Sequence, residues 1–210
     1  MARGLGLPYT GLAVDGARAA DVVRVQLPAV RPDFRYDLGC LYIGVNDVRA
    51  PDFDLGAFAA DYDATLAFLG ERCERVLAVL VPEDLGRPRA AGVASANEVI
   101  AAVAERHGAL LLDLRRFGAR NLVMTDHVHP TAFGQVWIAE RALDVLGMDV
   151  RVRPSALIRP GTRTRWRALQ GDWTYVYRRL KVLRAQAWAV GRRAVRAATG
   201  RSDSSPTRAR

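Results

Sequence analysis

The chain has 210 residues, half of them hydrophobic and a quarter charged, enough for one globular domain with length to spare. No run of about 18 apolar residues occurs, which excludes a membrane-spanning helix, and residues 1–25 lack the apolar core and cleavage site of a secretory signal. The net charge of +9 averages two unlike parts: residues 1–150 hold 15 Arg against 20 Asp and Glu, a net of −5, and residues 151–210 hold 15 Arg and Lys181 against Asp172 and Asp203, a net of +14.

In chain order, a first amphipathic helix is predicted over Ala19–Val30. A short apolar run at Leu38–Gly44 reads as a strand buried on both faces, as do Val76–Val81 and Ala109–Leu114. Cys40 lies inside the first of these runs and reads as a small buried thiol. Between and after them, Leu55–Leu69, Val93–His107 and Ala132–Leu146 carry apolar residues every three or four positions, as amphipathic helices do. Thr131 is placed to cap the last of these helices and Gly147 to end it. Strand and helix alternating over short connections predict an α/β domain built on a parallel sheet.

Beyond this domain, assigned to residues 1–148, the texture changes. Residues 149–165, with Pro154 and Pro160, read as a linker. In 166–199 Trp166, Leu169, Trp173, Val176, Tyr177, Leu180, Leu183, Ala187, Val190 and Ala194 recur at helical spacing among arginines, and 200–210 reads as a disordered polar tail. Two cysteines, Cys40 and Cys73, make no disulfide framework, and a reducing, cytoplasmic setting is expected.

In an open parallel sheet, sites form outside the carboxyl ends of the strands. Two such ends carry polar residues beyond what a connection needs. After the Leu38 run comes Gly44-Val45-Asn46-Asp47, where Gly permits a sharp turn and the Asn amide can donate to a developing negative charge. A plain Gly-Asn-Asp turn that only reverses the chain fits the same residues. After the third run comes Thr125-Asp126-His127-Val128-His129-Pro130. An Asp three residues ahead of a His can hold the imidazole Nδ1–H and leave Nε2 to act as general base. Asp126 can equally cap the following helix, which leaves His129 unaccounted for. The His127-x-His129 pair has a metal-ligand spacing, yet with no third ligand evident a metal is not expected, nor is any other cofactor.

Together, in this order, the two motifs resemble those of the SGNH, or GDSL-type, hydrolases. The Gly-x-Asn-Asp block matches Gly44, Asn46 and Asp47, and the Asp-x-x-His-Pro block matches Asp126, His129 and Pro130. The Asn-x-Ala-x-x-Gly block has its glycine at Gly16, with Gly11 where Asn is usual. The resemblance covers about residues 1–147 and implies a flavodoxin-like, three-layer α/β/α fold with a basic helical extension appended. It implies hydrolysis of a small-molecule carboxylic ester, short-chain acyl or O-acetyl, through an acyl-enzyme. His129 would be the base, Asp126 its orienting partner, and the Gly16 N–H and Asn46 amide two oxyanion donors.

The family's Gly-Asp-Ser block, which supplies the nucleophile, has no counterpart here. The five serines are Ser95, Ser155, Ser202, Ser204 and Ser205, none of them near a first strand. Met1-Ala2-Arg3-Gly4 fits the residues that follow the serine in that block. The expectation is therefore that the true start lies upstream, in a segment encoding a central strand that ends in Gly-Asp-Ser and lies between a second strand, about Tyr9–Ala13, and Leu38–Ile43, and that the chain as printed is inactive. The alternative is a serine-less homologue that binds ligand without cleaving it, tethered by its tail to membrane or nucleic acid. For the tail itself three readings stand: a stripe packed on the domain with its arginines solvated, a helix on an anionic membrane surface peripheral to the inner face, or a nucleic-acid contact, which no recognition motif supports.

Overall fold

Three parallel strands form one sheet in the order β1-β2-β3: β1 is Tyr36–Leu41, β2 Cys73–Val79 and β3 Leu110–Leu112. The computed structural model describes residues 1–86, 90–118, 122–124 and 126–149, with Trp173 and Leu180. By its contacts the chain divides into two units, Met1–Ile158 and Arg159–Arg210. The linker, extension and tail expected over 149–210 lie outside the described residues, apart from Asp149, Trp173 and Leu180. Among the described residues no helix is long and apolar enough to cross a membrane.

Among the described residues up to Asp149, the helices are α1, Ala2–Leu5; α2, Ala19–Asp21; α3, Val45–Val48; α4, Leu55–Arg72; α5, Val93–Arg106; and α6, Ala132–Val145. α4 and α5 lie in the two crossovers that parallel pairing demands. β2 shows how the layers arise. Successive strand residues face opposite ways, so Ala78 and Leu80 enter one apolar cluster with Phe58, Leu66 and Ile100. Leu77 and Val79 enter another with Leu112, Leu114 and Ala142. The sheet thus lies between α4 and α5 on one face and α6 on the other: an α/β/α sandwich.

Several expected elements are altered for local reasons. The helix expected over Ala19–Val30 starts as α2 but passes into a π turn at Val22–Gln26 and a 3-10 turn at Leu27–Ala29. Pro28 has no N–H to continue an α-helical ladder, which breaks the regular form. α4 outlasts its predicted end at Leu69 and runs to Arg72, where Cys73 turns extended and opens β2 without a loop. Arg35 Nη2 donates to the Glu71 carbonyl at 2.8 Å and Arg72 to that of Pro32, so arginines serve the carbonyls at this junction. The strand expected at Tyr9–Ala13 is irregular chain, with Tyr9 78% exposed. No described strand lies beside it, and a strand without a ladder partner leaves its backbone groups to water.

The burial expected of Cys40 is also corrected. The residue is exposed: its side chain leaves β1 on the face opposite Leu41, where the cluster under α6 takes in Leu38 but not Cys40. The protein crowded around it still pushes its thiol up to about 11, with Cys73 adding to the effect.

Candidate active site

Three loops at the carboxyl ends of the strands build the site. The first follows β1. Gly44 has φ +117°, and a Cβ there would lie 3.1 Å from Val81 Cγ2, so both backbone and space call for glycine. α3 follows at once and presents Asn46 and Asp47. Asn46 is exposed, and its Nδ2 donates to the Ala17 carbonyl at 2.9 Å. Asp47 is buried, with Oδ1 accepting from the Ala19 N–H at 3.0 Å and Oδ2 without a hydrogen-bond partner among the described residues. Burial raises the Asp47 carboxyl above the usual range. These two bonds grip the segment around Gly16 from neighbouring positions. Gly16 is exposed with φ +79° and directly precedes Ala17, so Gly16 and Asn46 share one rim of the sheet.

The second loop carries Asp126 and His129. Asp126 Oδ1 accepts the Val128 and His129 N–H groups, each at 3.1 Å. Its Oδ2 lies 2.5 Å from His129 Nδ1. A carboxylate at Nδ1 fixes the tautomer that carries its proton there and makes Nε2 the basic nitrogen. The Asp126 side chain is 13% exposed and that of His129 53%, so the dyad has a sheltered end and an open end. Pro130 bridges antiparallel to Val123, and Met124 N donates to the His129 carbonyl and Thr131 N to that of Leu122, both at 2.8 Å. The helix-capping reading of Asp126 is overturned. Thr131 caps α6 through Gly134 N at 3.2 Å, while Asp126 serves its own loop.

The third loop, after β2, went unnoticed in the sequence and joins the other two. Arg49 donates to the Leu85 carbonyl, which ties the β1 loop to the β2 loop. At Gly86, φ +77°, a Cβ would come 3.1 Å from the Asp126 carbonyl oxygen, so this glycine admits the His129 loop. Asp84 Oδ2 lies 3.4 Å from Nδ1 of His127, the one non-glycine residue with positive φ among those described, at +59°. His129 thus bonds Asp126, while His127 Nδ1 stands near Asp84 without a hydrogen-bond partner among the described residues. The available signal was positional: Asp84 and Gly86 follow a strand end in a sheet whose other ends were already under suspicion. A cavity of about 410 Å³ adjoins the same rim, lined by Val48, Arg49, Phe53, Ala90 and Gly92 among others, and neither His129 nor Asp126 lines it.

The molecule is thus a parallel α/β sandwich with a carboxylate–histidine pair in one loop at its strand ends and a glycine turn and an Asn amide in another. Comparison with known proteins makes this specific. The profile of the GDSL-like lipase/acylhydrolase family matches residues 1–137, and the chain belongs to that family. No curated protein sequence matches it. Among solved structures, a catalytic mutant of Axe2, an acetylxylan esterase from Geobacillus stearothermophilus, is similar at 20% identity and TM-score 0.55, over 71% of this chain and 77% of that one. The acetyl xylan esterase AlAXEase is similar at 21% identity and TM-score 0.52, over 63% of this chain and 78% of that one. LAE5, an α/β hydrolase enzyme from the metagenome of Lake Arreo, Spain, gives 21% and 0.51, over 63% and 69%.

Proposed function

We propose that the chain carries the acid-base and oxyanion machinery of a Ser-His-Asp ester hydrolase acting on short acyl or O-acetyl esters. The observation that carries this reading is the His129–Asp126 pair, 2.5 Å apart, on a carboxylate itself held by two loop N–H groups. Serine Oγ attacks the ester carbonyl carbon as its proton passes to His129 Nε2. Asp126 stabilises the imidazolium that results. The Gly16 N–H and the second N–H of the Asn46 amide donate to the oxyanion. Collapse breaks the bond to the alcohol oxygen, which takes the proton from His129, and water then releases the acid by the same route. Each oxyanion donor contributes about 2.7–4 kcal/mol to lowering the barrier.

The nucleophile in this proposal is the serine of a Gly-Asp-Ser segment N-terminal to Met1, on a strand seated against the open edge of β1. One observation supports it: among the described residues, the edge of β1 away from β2 has no strand partner. Ser95, the one serine among the described residues, lies in α5. The acetylated sugars cleaved by the two esterases of the same fold make an O-acetyl group the first substrate to try.

The test compares the chain of residues 1–210 with the product of the upstream-extended reading frame. The extended protein is expected to label with a fluorophosphonate at its Gly-Asp-Ser and to hydrolyse p-nitrophenyl acetate, and His129→Ala is expected to abolish both. The shorter chain is expected to do neither. A stop codon directly before Met1 with no Gly-Asp-Ser overturns the proposal in favour of a serine-less binding protein, and His129-dependent turnover by residues 1–210 alone overturns it by showing that no upstream serine is needed.

A further inference from the structure

Ester chemistry makes no use of the basic extension. In the sequence, Trp166, Trp173, Leu180, Ala187 and Ala194 recur every seven residues, and Leu169, Val176, Leu183 and Val190 stand three places further on. Seven residues make nearly two helical turns, so at helical spacing both rows fall on one stripe. Trp173 and Leu180, the described residues of this segment, are both helical, and they are 72% and 53% exposed.

Charge decides what suits the stripe. Arg179 and Arg193 border one side of it and Arg184 the other, in a stretch, 166–199, whose single acidic residue is Asp172. A second copy would set these like charges against each other along the seam, where paired helices need opposite ones. An anionic lipid surface meets both requirements. Indole rings settle at headgroup depth, and arginines lay their stems over apolar surface with the guanidinium on lipid phosphate. We propose that residues 166–199 bind the surface of an anionic bilayer, with Trp166, Trp173 and Leu180 at the acyl boundary and the bordering arginines on the phosphates.

The test is co-sedimentation of the full chain with phosphatidylcholine vesicles, with and without phosphatidylglycerol. Partition into the anionic vesicles is expected to exceed that into neutral ones by about tenfold or more, to weaken with added salt, and to shift tryptophan emission to the blue. Trp173→Ser with Leu180→Ser is expected to weaken binding at unchanged net charge, and Arg179→Gln, Arg184→Gln and Arg193→Gln together to weaken it at low salt. Trp173 and Leu180 face solvent, and the circular-dichroism melts of both variants are expected to match that of the parent. Equal partition into both vesicle types overturns the proposal, as does binding indifferent to the Trp173/Leu180 variant. Tighter retention on mixed-sequence DNA than on anionic vesicles at one ionic strength overturns it in favour of nucleic acid. A lipid-independent dimer dispersed by the stripe variant overturns it in favour of a second copy.

Discussion

His129 and its carboxylate sit three residues apart, and the loop that spans them closes on itself through Asp126 Oδ1. In the extended protein, Asp126→Asn is expected to preserve the fold and to lower kcat by about 10⁴, the cost of the wrong imidazole tautomer; steady-state kinetics beside a thermal melt check both parts. Cys40 offers a second residue-level outcome. A thiol raised from 9.0 to about 11 holds about a hundredfold less thiolate at pH 8 than an unperturbed one. Iodoacetamide is therefore expected to modify native Cys40 about a hundredfold more slowly than the unfolded chain at pH 8, despite its exposure, with the rate climbing about tenfold per pH unit toward pH 10. Native and denatured labelling followed by mass spectrometry gives the ratio. The dyad was legible because both partners belong to one short loop. The bonds from Asn46 to the Ala17 carbonyl and from Arg49 to that of Leu85 cross 29 and 36 residues. They end on backbone oxygens, which every residue has, so no side-chain pattern announces them.

At the level of elements, the ends of α6 hold the site in place. Thr131 caps its start, and at its end Gly147, φ +69°, donates to the Asp144 carbonyl while Met148 donates to that of Leu143. That pair of bonds is the Schellman closure, and both cap residues were readable because caps are local chemistry. Gly134 was not readable as special, since its need for space comes from another segment. A Cβ there would lie 2.0 Å from the Leu122 carbonyl oxygen, at the base of the His129 loop. Gly134→Ala is expected to cost about 3 kcal/mol in a denaturant titration, because backbone rather than a yielding side chain must move. Asn97 of α5 is the counterpart for β2: it accepts from Val81 N at 2.8 Å and donates to the Val81 carbonyl at 2.9 Å, buried on both counts. Asn97→Ala strands both groups and is expected to cost about 2–4 kcal/mol in the same measurement. The irregular α2 shows the opposite case, in which apolar spacing carried the reading past a proline that ended the regular helix.

For the molecule as a whole, the order of the sheet follows the order of the chain, and β1 stands at its outer side. Parallel α/β architecture was legible from alternating textures alone. The open edge was not, because exposure of β1 depends on which strands flank it rather than on its own composition. Hydrogen exchange reports on this edge without any need for catalysis. In residues 1–210, the β1 amides that point away from β2 are expected to exchange faster than those of β2, and the upstream extension is expected to protect them. Equal exchange with and without the extension would mean that no strand docks there.

The same edge has a practical consequence. On the proposed reading, the serine arrives on one strand, and the base, its carboxylate and the oxyanion donors all belong to residues 1–210. Nucleophile and machinery are then divisible without cutting the ladder among β1, β2 and β3. A synthetic peptide of that strand, added to residues 1–210, is expected to give turnover in proportion to the complex formed. The activity becomes a bimolecular signal, an esterase split in two that reports when its halves meet.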